Sequence, residues 1–308
     1  MPELPEVHTT ITGLQKKIIG LTIKDLWSNS FSLAYINRNT HKNKAYFKTL
    51  KEVVTGNKIM NVSRRGKHIL IHLSFGDTLV VHLKMTGHLL FGNYTLQNEK
   101  QNEWPWIPQE KNTPLSDPFN RHIRVVFTLI DDKEKESHLV FCDSRKFGTM
   151  ELFSKDTLIN KLGVLGPEPL EKSFTLQNFT DIVKKKRSGV TKSVLMDQKT
   201  IVGVGNIYSD EALHLARINP LREVTSLSDT EIHNLYTSIR EVLSSGIDFG
   251  GDSMSDYRNV DGARGAFQRK HKVYLRKGKE CLTDDCHGTI QKKVIGGRSA
   301  HFCSTCQK

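Results

Sequence analysis

The chain opens Met1-Pro2-Glu3-Leu4-Pro5-Glu6-Val7, and these residue types can do chemistry together. Removal of Met1 leaves Pro2 as a free secondary amine. An α-amino group titrates near pH ~8, so about a tenth of it is uncharged and nucleophilic at neutral pH, a fraction that rises above pH 7, without a buried lysine. Glu3 and Glu6 follow at once. An amine nucleophile beside a potential general acid is the equipment for Schiff-base chemistry on an aldehyde-like carbon. The same residues also suit a helix start, with Pro5 at a first helical position and Glu6 at the positive end of the helix dipole.

A second group of reactive side chains lies at the other end. Cys281-x4-Cys286 is followed, after 16 residues, by Cys303-x2-Cys306. Two close pairs at this separation read as a structural four-cysteine zinc site at the ends of two β-hairpin knuckles. Zinc supplies the folding energy that about 35 residues do not obtain from a core. His287 or His301 could replace one thiolate without changing the module's role. Cys142, in an apolar run, reads as a buried thiol. Lys292, Lys293 and Arg298, around Gly296-Gly297, make a basic hairpin tip suited to phosphate or minor-groove contact.

A third motif is Ile201-Val-Gly-Val-Gly-Asn-Ile-Tyr208. Its Gly203-x-Gly205 turn has no third glycine and no preceding strand, so it is not a dinucleotide fingerprint. A glycine-flanked turn that opens a helix exposes backbone N–H groups to an anion. Asn206 adds a side-chain donor, and Lys184, Lys185, Lys186, Arg187 and Lys192 lie upstream. Together they describe a helix–turn–helix clamp on nucleic-acid phosphates.

The bulk properties agree with a polyanionic partner. The 308 residues include 45 Lys and Arg against 33 Asp and Glu, a formal charge of +12. Nucleic acid is the commonest such partner, although a membrane-surface or ribosome-associated protein would show a similar total. No basic segment followed by an apolar run marks a secretory signal, and no apolar stretch reaches the ~20 residues of a membrane span. Five cysteines, four of them clustered, suit a metal site in a reducing cytosol better than a disulfide scaffold.

These groups must be positioned by secondary structure. Val7, Ile11, Leu14 and Ile18 recur at helical spacing, which predicts a helix over 6–19 with Gly20 as its stop. From 21 to about 153 the pattern is one of short strands, as in Ile69, Ile71 and Leu73 alternating with Leu70, His72 and Ser74. Many short strands between turns predict an antiparallel sandwich. Residues 97–120, polar and proline-containing around Trp104-Pro105-Trp106, read as a surface insertion, partly mobile, whose tryptophans dock on the body or touch a partner. Residues 163–174 read as a linker and 175–247 as four helices. The fold class is therefore α+β, with a helix-flanked antiparallel β-sandwich domain over 1–162, a helical domain over 175–271 and a β-hairpin zinc finger over 272–308.

Several of these motifs carry a resemblance to the bacterial formamidopyrimidine-DNA glycosylases. Pro2-Glu-Leu-Pro-Glu-Val7 resembles their N-terminus, and Lys192 through Tyr208, with Leu195-Met-Asp197, is similar to their helix–two-turn–helix. Arg64-Arg-Gly-Lys67, His82-Leu-Lys-Met85-Thr-Gly87 and Asp143-Ser-Arg145-Lys-Phe147-Gly148 resemble three loops that meet the lesion. Gly250 through Gly265 resembles their mobile lesion-capping loop. The chain departs from the family pattern at His8, Ser144 and Lys146 and in the spacing of the first cysteine pair; His8, one turn from the nucleophile, could alter the pH profile.

The resemblance implies a bifunctional DNA glycosylase and apurinic/apyrimidinic lyase. It would excise oxidised purines (8-oxoguanine, formamidopyrimidines) from damaged double-stranded DNA as a monomer in the bacterial cytoplasm. Pro2 would attack C1′, Glu3 would supply acid catalysis, Lys67 would help bind the lesion strand, and Glu6 would support the site around Pro2. Met85 and Phe147 would fill the gap left by an extruded base, with Arg145 as donor to the orphaned partner. Lys192, Asn206, Tyr208 and Arg298 would contact DNA, and Cys281, Cys286, Cys303 and Cys306 would hold one structural zinc. An endonuclease VIII-like activity on oxidised pyrimidines and a non-catalytic zinc-dependent DNA-binding protein are the alternatives. The complete 250–265 segment and Pro-Glu-Leu-Pro argue against the first. The joint presence of Pro2, Glu3 and Lys67 argues against the second.

Overall fold

A computed structural model describes residues 1–97, 104–254 and 256–308. Residues 98–103 of the expected insertion and Ser255 of the 250–265 segment lie outside the described residues. By their internal contacts the residues form two units. The first comprises residues 1–2, 6–163 and 250–265, and the second residues 3–5, 164–249 and 266–308. This division differs from the expected one in placing 250–265 with the β-rich unit and the cysteine module with the helices.

The first unit contains α1 (Leu4–Lys17), which begins two residues earlier than its periodicity predicts, then β1 (Thr22–Ser28), α2 (Lys44–Val54), β2 (Ile59–Arg65), β3 (His68–Leu73), β4 (Thr78–His82) and β5 (His88–Gly92). There follow β6 (Tyr94–Leu96), β7 (Trp106–Pro108), β8 (Ile123–Ile130), β9 (Glu136–Cys142), β10 (Thr149–Phe153) and α3 (Lys155–Leu162). Two four-stranded antiparallel sheets result, ordered β1-β8-β9-β5 and β10-β4-β3-β2. The alternation predicted for β3 is realised: Ile69, Ile71 and Leu73 enter the core with Leu79 and Val81 of β4 and Val125, Phe127 and Leu129 of β8. Val7, Ile11 and Leu14 of α1 join them, and so does Val260, which draws the 250–265 segment into this unit.

The helices α2 and α3 were not read from the sequence. In α2, Phe47, Leu50 and Val54 form a buried stripe, and Asn43 caps the first turn by accepting from the Ala45 and Tyr46 amides at 3.1 and 3.4 Å. The surrounding strand signals masked this short stripe. The insertion contributes β7, which pairs antiparallel with β6 ahead of it. Trp106 stands edge-on to Trp27 at 5.9 Å, and Trp104 meets His122 at 4.6 Å. Trp106 and Leu115 pack on Leu90, Tyr94, Val126 and Val140, so the insertion covers the outer face of the first sheet.

The second unit contains α4 (Leu176–Lys184), α5 (Thr191–Met196), α6 (Asn206–Leu215), α7 (Asp229–Asp248) and the hairpin β11 (Ile290–Ile295) with β12 (Arg298–Cys303). Thr175 and Ser228 each close a capping box, which fixes where α4 and α7 start. Leu4, Phe179, Leu195, Ile201, Leu213, Leu235 and Leu243 share one core. No described helix is long and apolar enough to cross a membrane.

Two histidines of the first unit are held neutral. His41 accepts from the Met150 amide at 3.2 Å, and burial, with the nearby Lys42 charge, pushes its pKa down to about 3. His68 packs edge-on to His82 at 4.7 Å, and burial pushes it down to about 4. Both folded values lie below the unfolded one, so this stability is complete above pH ~6.5 and is lost as pH falls towards the folded values. Each histidine should lower the unfolding free energy by about 2 kcal/mol between pH 7 and pH 5. Urea titrations at the two pH values measure it, and His41→Gln should remove its share of the pH dependence.

Candidate active site

The site begins with the turn that the glycine motif makes. Gly203 takes φ +85°, and a Cβ there would stand 2.6 Å from Cβ of Leu4. Only glycine lets the turn come this close to the first residue of α1. The Leu4 amide donates to the Gly203 carbonyl at 3.0 Å. Gln198 shapes the same turn from within: Oε1 accepts from the Gly203 amide at 2.9 Å, and Nε2 donates to the Met196 and Val204 carbonyls at 2.9 and 2.8 Å.

The backbone N–H groups at this turn point at an anion, as expected, but the anion is internal. The Glu3 carboxylate accepts from Gly205 at 2.6 Å, Ile207 at 2.9 Å and, more weakly, Tyr208 at 3.5 Å. Glu3 is only 2 % exposed. A negative group at the N-terminus of α6 meets unsatisfied amides and the positive end of the helix dipole, which offsets its removal from water. The residue next to Pro2 in the chain is thereby locked in place. Asn206, the first residue of α6, keeps its Oδ1 without a hydrogen-bond partner.

Two expected DNA contacts in this unit are placed inward instead. Lys192 is 1 % exposed and pairs with Asp210. Its ammonium also donates to the Ser299 carbonyl at 2.9 Å. Burial lowers its pKa, against the opposing pull of Asp210. Asp210 further accepts from the His301 amide at 2.9 Å, so His301 belongs to this network rather than to the cysteine cluster. Tyr208 stacks on Phe267 at 5.0 Å inside the core. Both side chains find partners inside this unit, as the apolar face of α6 and its acidic pair require. Glu211, beside Asp210, accepts from the amides of Lys272, Val273 and Tyr274 at 2.8, 3.0 and 2.8 Å, and burial raises its pKa despite those donors. The adjacent acids in an otherwise apolar helix were the signal that sequence reading passed over.

The four cysteines meet as expected. Their Sγ atoms all lie within 4.8 Å of one another. Gly288 belongs to the same cradle, since a Cβ there would stand 2.5 Å from the Cys303 sulfur. Four convergent thiols fit a tetrahedral metal ion. Arg298 is exposed just after the Gly296-Gly297 turn between β11 and β12.

In the first unit Pro2 is buried and Lys67 is 5 % exposed in the β2–β3 turn. The Glu6 carboxylate accepts from the Asp252 amide at 2.7 Å, and its carbonyl accepts from Tyr257 Oη at 3.0 Å. His8 is half-buried, and burial, with Arg64 nearby, lowers its pKa. Met85, Arg145 and Phe147 form one cluster: Arg145 Nη1 lies 3.3 Å from the Met85 sulfur, and its guanidinium lies 4.8 Å from the centre of the Phe147 ring. Arg145 and Phe147 are exposed. Asp143, a residue not singled out in the sequence, joins the two loops. Its carboxylate accepts from Thr86 Oγ1 on one and from the Gly148 amide at 2.7 Å on the other. The 250–265 segment, read from sequence as a mobile loop, is anchored by Glu6, by Tyr257 and by Val260 in the core.

Two family models match the chain in succession. Residues 1–150 match the model of the formamidopyrimidine-DNA glycosylase N-terminal domain, and residues 165–258 match that of the formamidopyrimidine-DNA glycosylase H2TH domain. The Pelotomaculum thermopropionicum formamidopyrimidine-DNA glycosylase is 39% identical over 310 residues, covering 100% of this chain and 99% of the relative. The Heliobacterium modesticaldum formamidopyrimidine-DNA glycosylase is 38% identical, with 100% of both covered. Among solved structures, a complex of Lactococcus lactis Fpg with DNA containing an abasic site is similar at a TM-score of 0.79 and 31% identity, with 99% of both chains covered.

The Lys192–Asp210 pair yields a stability prediction. Asp210→Asn leaves a buried ammonium without its counter-charge and should cost about 3–5 kcal/mol. The double replacement Lys192→Met with Asp210→Leu should recover most of that loss. Urea denaturation measures both, and an Asp210→Asn protein as stable as the parent would deny the pair its structural role.

Proposed function

This chain belongs to the formamidopyrimidine-DNA glycosylase family, and from that premise we propose that it excises oxidised purines from damaged duplex DNA and then cuts the strand as a lyase. It is an enzyme of the formamidopyrimidine-DNA glycosylase type that acts on damaged DNA. The proposal concerns its lesions, its nucleophile and its lyase step.

With Met1 removed, the Pro2 nitrogen attacks C1′ of an extruded 8-oxoguanine or formamidopyrimidine nucleotide. The C1′–base bond breaks, Glu3 supplies the proton that opens the sugar ring, and an iminium forms between Pro2 and C1′. Loss of the C2′ proton allows β-elimination of the 3′ phosphate, and δ-elimination then releases the 5′ phosphate. The observation that carries this reading is the fixed Glu3 carboxylate, held on the α6 N-terminus and covalently next to Pro2. Glu6 organises the backbone around the nucleophile by holding the Asp252 amide. Lys67 acts on the lesion strand.

The Met85, Arg145 and Phe147 cluster, with Arg145 and Phe147 exposed, supports extrusion, because apolar wedges and a donor are what an emptied stack needs. Asn206 and Arg298 contact phosphates. Lys192 and Tyr208 act beneath that surface, by positioning α6. The four cysteines hold one zinc ion, which stabilises the C-terminal module. The protein works as a monomer in a bacterial cytoplasm.

Borohydride trapping on DNA with 8-oxoguanine opposite cytosine tests the nucleophile. A covalent adduct should form through Pro2, and a tag left ahead of Pro2 should abolish it. An undiminished adduct with the tagged protein sinks the assignment. Glu3→Gln should bind lesion DNA and lose base excision.

Arg145 carries a separate expectation. A guanidinium presents only donors, and cytosine offers O2 and N3 as acceptors, whereas adenine turns an amino group towards it. A bidentate contact is worth roughly 1–3 kcal/mol, so excision opposite cytosine should exceed that opposite adenine by about tenfold or more. Rates opposite each base, for wild type and Arg145→Ala, decide the matter. A variant that keeps the full preference rules Arg145 out as its source.

A further inference from the structure

Residues 104–120 of the insertion take no part in the chemistry proposed above, yet they grip the 250–265 segment at two points. The first is an ion pair. Arg258 is 1 % exposed, and its Nε and Nη2 donate to Asp117 Oδ2 at 3.1 and 3.0 Å. The face of its guanidinium lies 4.9 Å from the centre of the Phe119 ring, and Nη1 donates to the Tyr257 carbonyl at 2.9 Å. The second is a close backbone approach. Gly262 has φ +81°, and a Cβ there would stand 2.6 Å from the Pro114 carbonyl carbon. The insertion is itself tied down: Asn120 donates to the Pro114 carbonyl at 2.9 Å, and its Oδ1 lies 2.9 Å from His88 Nε2 on β5.

A buried arginine needs its counter-charge, and here that charge comes from the insertion. We propose that residues 104–120 of the insertion are a brace for residues 256–265, with Asp117 and Arg258 as positioning residues that hold them where they meet an extruded base. This rests on the proposed function and on reading 250–265 as the lesion cap. The chemistry makes the brace substrate-selective. An oxidised purine must be held by the cap while its bond to C1′ breaks. An abasic site carries no base to hold, and its strand cleavage needs only Pro2, the sugar and the phosphates. Weakening the brace should therefore slow base excision and spare abasic-site cleavage, whereas a general loss of stability would lower both.

The test compares single-turnover excision of 8-oxoguanine opposite cytosine with cleavage of an abasic site in the same duplex. The proteins are wild type, Asp117→Asn, Arg258→Met and the double variant. Asp117→Asn strands a buried guanidinium. Arg258→Met keeps the apolar stem and leaves a carboxylate whose side chain is already 25% exposed, so it is the safer variant for folding. Each single change should slow base excision at least about fivefold and leave abasic cleavage within about twofold, and the double variant should be no slower than the slower single one, as expected for a shared interaction. Equal losses on both substrates, or losses that multiply in the double variant, overturn the brace. A wild type that excises no oxidised purine overturns the proposed function instead, so the two failures are separable.

Discussion

A carboxylate removed from water must be given donors, and the placement of Glu3 on the first amides of α6 is the constraint on which the site depends. It fixes two things together. The 201–205 turn must bring its amides to one point, which needs Gly203 in a left-handed conformation and Gln198 beneath it. Leu4 must sit against that turn, which sets the first residue of α1. The Glu3 carboxylate is itself held at the start of α6, one residue after Pro2 in the chain. Catalysis gains when a reactive group is held before the substrate arrives, since no reorganisation is then required at the reacting centre.

The same logic recurs wherever a loop must be held without a core of its own. Asp143 joins the Met85 loop to the Arg145–Phe147 loop, Asp210 joins α5 and β12 to α6, and Glu211 gathers the amides of 272–274. Buried acids do the joining because one carboxylate accepts from several donors at once. Of the expected basic contacts, Arg145 and Arg298 stay exposed, whereas Lys192 is spent on Asp210. Net charge therefore identifies the class of partner, but it does not say which cations meet that partner.

Much of the architecture was legible beforehand for simple reasons. Period-two alternation in β3 and helical spacing in α1 are local, and each buried stripe went where its period directed it. The cysteine quartet was legible because four thiols at that spacing have few other uses, and they converge within 4.8 Å. Where the reading stopped short, long-range partners decided. Nothing near Lys192 announces that its ammonium is consumed by Asp210, and nothing in Tyr208 distinguishes a core ring from one that meets DNA. The 250–265 segment looked polar and mobile, yet Val260 and Arg258 are buried because distant residues wait for them.

By itself, then, the sequence determined the chemistry on offer: an amine beside acids, a four-thiol cluster, a glycine turn opening a helix and an excess of positive charge. Those follow from residue type and short spacing, which the chain carries locally. The tertiary structure decided which group each one meets. It turned the amides of the glycine turn towards Glu3 and gave Lys192 to Asp210. It also gave the insertion an ion pair with Arg258. These pairings span from 18 to 205 residues of chain, and no local pattern encodes a partner at that distance. Only folding brings the two ends of such a contact together, and the cost of burying a charge without its partner makes the pairing specific.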